Sequence, residues 1–156
     1  MLFRSGRTEQ VLLDLIDQSV SELFMVSFVA YSVPTVVSAL NSAITRGVRI
    51  RILVEASSEH GGSLDVDPAA IMRKHVPSAE IYAWAVREEP FLDGRVHAKV
   101  AVADGLKAFI TSANLTGYAL EKNMEAGVLI SGGSVPNDLQ NHLAALAETG
   151  IITKVA

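Results

Sequence analysis

The chain contains no cysteine. A disulfide framework and any thiolate metal site are therefore excluded, and a reducing compartment is the expectation. Aromatics are scarce, with five Phe, three Tyr and one Trp in 156 residues. Ala, Val, Leu and Ile supply the hydrophobic half instead, which suits a sheet covered by helices on both faces. Long apolar runs are missing too. The greasiest, Leu23 to Val29, is too short to span a bilayer and is closed by Pro34. Met1 to Arg7 lack the apolar stretch of a secretion signal. Nor is there a basic surplus: 13 Lys and Arg face 17 Asp and Glu, for a net charge of −4. That counts against bulk coating of nucleic acid, although a local basic site is still allowed. What remains is a compact cytoplasmic domain over residues 1–156, with no membrane insertion. Its start, a few residues before the first helix, leaves room for a preceding region.

No internal repeat or low-complexity segment interrupts the chain. From Thr8 to Ser21, Val11, Leu12, Leu15, Ile16 and Val20 recur at helical spacing, with Thr8 placed to cap the N-terminus. Leu23 to Ala30 is almost continuously apolar and reads as a buried strand. A helix follows over Val33 to Thr45, opened by Pro34 and stopped by Gly47. Val48 to Val54 then reads as a strand, and this order implies a parallel βαβ unit. Glu55 to Asp67 is loop-like, with Gly61-Gly62. A helix over Pro68 to His75, a strand over Glu80 to Ala85 and a polar loop over Arg87 to Gly94 complete the first part. The pattern predicts an α/β fold with a mixed, mostly parallel central sheet and helices on both faces.

The chemistry lies after Gly94. Arg95 to Thr111 reads as two strands joined at Asp104-Gly105, a strong hairpin signal because a type I′ turn needs positive φ at both central residues. On the first strand Val96, Ala98, Val100 and Val102 share one face, while His97 and Lys99 share the other, with Arg95 beside them. Side chains two apart on a strand are roughly 6–7 Å apart, so imidazole and ammonium converge on one small anion. If Ala103 pairs with Leu106, His97 falls opposite Ser112, at about 5 Å, with Asn114 near the mouth of the same site. A bulge would shift this register by one residue. Asn123 to Ile130 reads as a further buried strand, and Glu125 at its start needs a partner. A ring nitrogen of His97 is the obvious one, fixing its tautomer and stabilising its imidazolium.

Plainer readings exist for each residue. A lone strand histidine is ordinarily a satisfied structural residue, and Glu125 alone reads almost as well as a structural salt bridge as an active-site group. It is the combination of His97, Lys99, Ser112, Asn114 and Glu125 that points to a site. His60, His75 and His142 read as solvated or capping residues, without metal-site spacing. Gly61-Gly62 lacks the following lysine of a phosphate-binding loop and reads as a flexible loop. Arg95, Lys107 and Lys122 extend a basic rim or are ordinary surface charge. Val135 to Leu146 is an amphipathic helix that packing explains.

His97-Ala-Lys99, four residues and Asp104 form H-x-K-x₄-D, which resembles the HKD signature of the phospholipase D superfamily. Thr111-Ser112-Ala113-Asn114 is similar to that family's G-S-x-N element, with Thr where the family has Gly, and Glu125 matches its downstream acidic residue. The element order extends the resemblance over nearly the whole chain. It implies a histidine that attacks phosphorus to form a covalent phosphohistidine, a second histidine that protonates the leaving group, and no metal or other cofactor. Carried over, His97 is the nucleophile, Lys99 and Asn114 hold the phosphate, Ser112 adds a hydrogen bond, Arg95 helps bind substrate and Glu125 orients His97. Asp104 joins the catalytic set by its place in the motif, but the hairpin puts it at the turn, where a structural role suits it better than proton transfer. One motif in a chain too short for two implies a homodimer with the site on the two-fold axis. Small bacterial endonucleases of the superfamily are similar single-motif proteins. The general pattern also resembles the phospholipase D-like component of bacterial DISARM anti-phage systems.

Three functions compete. A phosphodiesterase acting on nucleic acid is favoured by the complete motif and the short chain, and opposed by the acidic balance and the lack of stacking aromatics nearby. A non-hydrolytic nucleic-acid-binding or scaffolding subunit of a larger defence or repair complex would explain the charge, yet no motif residue is lost. A lipid phosphodiesterase lacks a basic amphipathic membrane-binding stretch.

Overall fold

The computed structural model describes residues 7–27, 33–57 and 67–155. Helix α1 runs over Arg7–Gln18 and buries Leu12, Leu15 and Ile16 at helical spacing. Thr8 lies inside its first turn and is buried, so it packs rather than caps. Strand β1 (Glu22–Ser27) follows, and the expected continuation to Ala30 lies outside the described residues. Helix α2 (Pro34–Thr45) starts at its proline and ends where Gly47 turns with φ +92°. After β2 (Arg49–Val54), helix α3 (Pro68–His75) is capped by Asp67, whose carboxylate accepts from the amides of Ala69 and Ala70 at 3.0 and 3.1 Å. Strand β3 (Glu80–Ala83) stops two residues short of expectation.

Strands β4 (Val100–Ala103) and β5 (Lys107–Thr111) form the hairpin, and β6 (Gly127–Ser131) adds to its outer edge. A π-helical turn over Tyr118–Lys122 connects β5 to β6. Helix α4 (Val135–Glu148) and the short β7 (Thr153–Lys154) close the chain. Among the described residues, seven strands form one sheet in the order β6-β5-β4-β1-β2-β3-β7. The α/β class and the mixed sheet agree with expectation, but the sheet is mostly antiparallel. Among the described residues, β1–β2 and β2–β3 pair parallel, whereas β1–β4, β4–β5, β5–β6 and β3–β7 are antiparallel. Helices α2 and α3 carry the chain back between the parallel neighbours, whereas a tight turn joins only β4 to β5; β1–β4 and β3–β7 pair strands that are distant in the chain.

Side chains alternate across the sheet. Leu23 and Met25 of β1 join Ile50 and Ile52 of β2 in a core beneath α1, α2 and α3, with Leu40 and Met72. Phe24 and Val26 point the other way, into a second core with Leu53, Tyr82, Val102 and Leu143 of α4. Arg51 also lies on this second face, ion-paired with Glu22 and stacked over the Phe24 ring at 4.6 Å. Central strands covered on both sides must be apolar throughout, which is why β1 shows no polar alternation. β6 differs. It was expected to be buried, yet it is an edge strand with Val128 56% and Leu129 49% exposed.

The hairpin turn has positive φ at Asp104 (56°) and Gly105 (63°), and the Leu106 amide donates to the Ala103 carbonyl at 2.9 Å, the geometry of a type I′ turn. Leu106 is extra, so Ala103 pairs with Lys107 rather than with Leu106. The one-residue shift places Thr111 beside Lys99, its amide 3.1 Å from the Lys99 carbonyl. Regular pairing begins only at Val100, so His97 sits on the extended lead-in to β4 and Ala98 is exposed rather than in the core.

Candidate active site

The segment 84–99 carries no regular secondary structure between β3 and β4, and His97 and Lys99 lie at its end. His97 is exposed; Lys99 is half-buried and bends back so that Nζ donates to the His97 carbonyl at 2.7 Å and stands 3.4 Å from His97 Nδ1. Burial pushes the Lys99 ammonium below the usual lysine value, and the nearby Glu125 carboxylate partly offsets this. A desolvated cation gains much from an anion placed beside it.

Across the hairpin, residues 111–114 are tied to the segment before β6. The Ser112 amide donates to the Ala126 carbonyl at 2.9 Å, and the Ala126 amide donates to Ser112 Oγ at 3.1 Å. Ser112 Oγ donates to the Glu125 carboxylate, which also accepts from Asn123 Nδ2 at 3.2 Å. Thr111, where the family pattern has Gly, uses its hydroxyl to bridge the Ala126 carbonyl at 3.2 Å and the Ala113 amide at 3.1 Å. Asn114 is half-buried, and its Oδ1 is enclosed without a hydrogen-bond partner.

His97, Lys99, Ser112 and Asn114 line one open cleft of about 600 Å³. Four residues singled out from the sequence thus come together despite the shifted register. Glu125 reaches this cleft through Ser112. Arg95 does not line it; its Nη1 donates to the carbonyls of Asp93 and Gly94, each at 2.8 Å. Instead Arg95 borders a neighbouring, mainly apolar groove of about 770 Å³, which His97 shares and which runs between Trp84, Phe91 and the Leu143 face of α4. His142, expected to be a solvated or capping residue, is exposed on α4 and lines the same groove. Lys107 lies at the far end of β5 from Thr111, bonded to Gln18, so it does not extend a rim around the cleft. His60 and Gly61-Gly62 lie outside the described residues.

Asp104 sits at the hairpin turn and is occupied there. Its carboxylate accepts from the amides of Val20, Ser21 and Glu22 at 2.9, 2.8 and 2.9 Å and from Ser21 Oγ at 2.8 Å. It thereby fastens the turn to the α1–β1 connection. Sequence reasoning missed Glu55 and Arg87. Glu55 follows β2 and is fully buried, with its carboxylate 2.6 Å from Arg87 Nη2 and 2.6 Å from the Val96 amide. The available signal was a carboxylate at the C-terminal end of a parallel strand, where α/β sites gather. Among the described residues, no cluster of three or more His, Cys, Asp or Glu is placed to hold a metal ion.

A helix-covered mixed sheet with H-x-K on the lead-in to one hairpin strand and Ser-x-Asn at the end of the other defines a phospholipase D-type domain. Residues 12–147 match the family described as cardiolipin synthase, PLD-like domain, and the chain belongs to that family. Solved structures agree on the fold. The phospholipase D family member Nuc from Salmonella typhimurium superposes with a TM-score of 0.75 at 20% identity, covering 96% of this chain and 91% of Nuc. NucT from Helicobacter pylori gives 0.72 at 17%, covering 91% of this chain and 88% of NucT. Phosphatidylserine synthase from Haemophilus influenzae Rd KW20 gives 0.74 at 15%, covering 99% of this chain and 39% of the synthase. No curated protein sequence matches. Among the described residues, no helix is long and apolar enough to cross a membrane.

Proposed function

We propose that this protein hydrolyses phosphodiesters of nucleic acid without a metal, with His97 as nucleophile. The observation that carries this is the convergence of His97, Lys99, Ser112 and Asn114 on one open cleft. A phosphodiester anion repels nucleophiles, so neutralisation and positioning must supply most of the acceleration. Lys99 supplies the charge, and Asn114 Nδ2 and the Ser112 hydroxyl, turned from Glu125 to the substrate, donate to the non-bridging oxygens. The neutral His97 ring attacks phosphorus, and a P–N bond forms as the bond to the leaving oxygen breaks. The leaving oxygen takes a proton from a second histidine. Water then attacks the phosphohistidine, gives that histidine its proton and releases the His97 ring. Glu125 stabilises the charged ring, and Asp104 acts as the structural anchor of the hairpin.

The second histidine is His97 of a second copy, because the chain carries one such motif. The reading therefore includes a cytoplasmic homodimer with the cleft on its two-fold axis, built from a domain that spans residues 1–156. The pattern-level resemblance to the DISARM component adds anti-phage defence beside other subunits as its setting. A lipid phosphodiester is a second reading, favoured by the apolar groove of about 770 Å³ that opens beside His97.

The test is hydrolysis of an activated phosphodiester with EDTA present, comparing wild type with His97→Ala. Loss of activity only in the variant supports the mechanism. An equal rate in both, or inhibition of the wild type by EDTA, overturns it. Parallel assays on oligonucleotides and phospholipid vesicles separate the two substrate readings. A well-folded wild type inactive on all three would shift the reading to a nucleic-acid-binding or scaffolding subunit.

A further inference from the structure

We infer that Glu55 is the positioning residue of this site: its buried carboxylate grips both arms of the segment that delivers His97. The inference rests on the proposed role of His97 and extends it. Residues 84–99 leave the sheet after β3 and return to it at β4 without helix or strand of their own. Local turns shape the tip, where the Phe91 amide donates to the Glu88 carbonyl at 2.7 Å and the Gly94 amide to the Phe91 carbonyl at 2.8 Å. Such turns do not fix where the segment sits relative to the sheet. Val96 and Trp84 pack it against the second core, and Glu55 adds the directional bonds. One carboxylate oxygen takes Arg87 on the outgoing arm, and the other takes the Val96 amide on the returning arm, each at 2.6 Å. The residue attached to that amide precedes His97.

The clamp is rigid because its parts are enclosed. Glu55 is 0% exposed and the Arg87 side chain 5%. The guanidinium also lies 4.9 Å from the Trp84 ring centre, and Gly94 comes so close to that ring that a Cβ there would lie 2.8 Å from it. Charge-assisted bonds in such surroundings are short, directional and costly to break. Glu55 itself stands directly after β2, which parallel pairing locks to β1 and β3. The reference frame for His97 is therefore the centre of the sheet, whereas Lys99, Ser112 and Asn114 take theirs from the hairpin. Catalysis needs the two frames aligned, since a displacement of about 1 Å can cost about 100-fold in rate.

The experiment uses Glu55→Gln and the charge-neutral double variant Glu55→Gln/Arg87→Met, which leaves no unpaired buried ion. Both are compared with His97→Ala. The expectation is a kcat per folded molecule lowered about 10- to 100-fold with KM changed less than about 3-fold. NMR gives a readout independent of turnover. The wild-type Val96 amide proton should resonate far downfield, and in both variants it should move upfield while the His97 ring signals broaden or split. Wild-type kcat with unchanged His97 signals in a folded variant overturns the inference. A wild type that is inactive, or no more active than His97→Ala, defeats the nucleophile assignment alone, and the NMR comparison still decides whether Glu55 places the ring.

Discussion

Lys99 is the residue whose environment makes the sharpest demand on pH. Burial lowers its proton affinity, so the free cleft loses its cation at a lower pH than an exposed lysine would. The alkaline limb of kcat/KM should therefore fall below the usual lysine range, and Lys99→Arg should remove that limb while lowering the rate. A pH–rate profile of both proteins checks this; an unchanged limb in the variant assigns it to another group. Asp104 offers the opposite contrast, a motif residue whose carboxylate is taken up by three backbone amides and the Ser21 hydroxyl at the α1–β1 connection. Asp104→Asn, which tolerates the positive φ, should cost about 1–3 kcal/mol of stability and leave kcat per folded molecule intact. Urea unfolding with active-site titration measures both; a stable but inactive variant would return Asp104 to the chemistry. The residues that lined the cleft were legible in sequence because H-x-K and Ser-x-Asn each sit within a few positions of one hairpin. Glu55 and Arg87 were not, since each looks like an ordinary loop charge until the fold closes around the pair.

At the level of elements, local signals carried well and partnerships did not. Pro34 and Gly47 bound α2, and Asp67-Pro68 opens α3, because caps and breakers act within a turn of where they stand. The hairpin register moved by one because Leu106 adds a residue that the Asp-Gly signal does not reveal. The β6 run looked buried because apolarity in sequence does not say whether anything covers the strand. Gly127 of β6 carries a close contact that is testable: a Cβ there would lie 2.8 Å from the Phe109 ring and 2.9 Å from the Ile110 carbonyl. Gly127→Ala should destabilise the protein by about 1–3 kcal/mol through overpacking. Thermal unfolding checks it, and an unchanged melting temperature would mean that the strand edge moves freely. Between β2 and β3, Arg49 holds Glu80 with bonds of 2.7 and 3.1 Å and lowers its carboxyl to about 2. That stability is present above the unfolded carboxylate value and is lost as pH falls toward about 2. Glu80→Gln should flatten the acid limb of a stability–pH curve below about pH 4.5.

For the molecule as a whole, the mostly antiparallel sheet was the larger misreading, because strand order is decided by long-range pairing that periodicity does not encode. The helix–strand order of the first half was read correctly as parallel, and the error lay in extending it past β3. The proposed homodimer belongs at this scale. Sedimentation of the wild type should give a dimer, and mixing His97→Ala with wild type should titrate activity down as mixed dimers form. A fully active monomer would refute the shared site.

One side of β1 is bonded to β2, which comes soon after it in the chain, but the other side is completed only by β4, where Leu23 meets Ala103. On the ribosome, the first three strands therefore emerge with their innermost strand still half unpaired, its apolar edge open to any neighbouring nascent chain. Shortened chains ending before the hairpin should accordingly aggregate or recruit holdase chaperones, so that the stretch bearing His97 is also the stretch whose arrival makes the newborn protein safe.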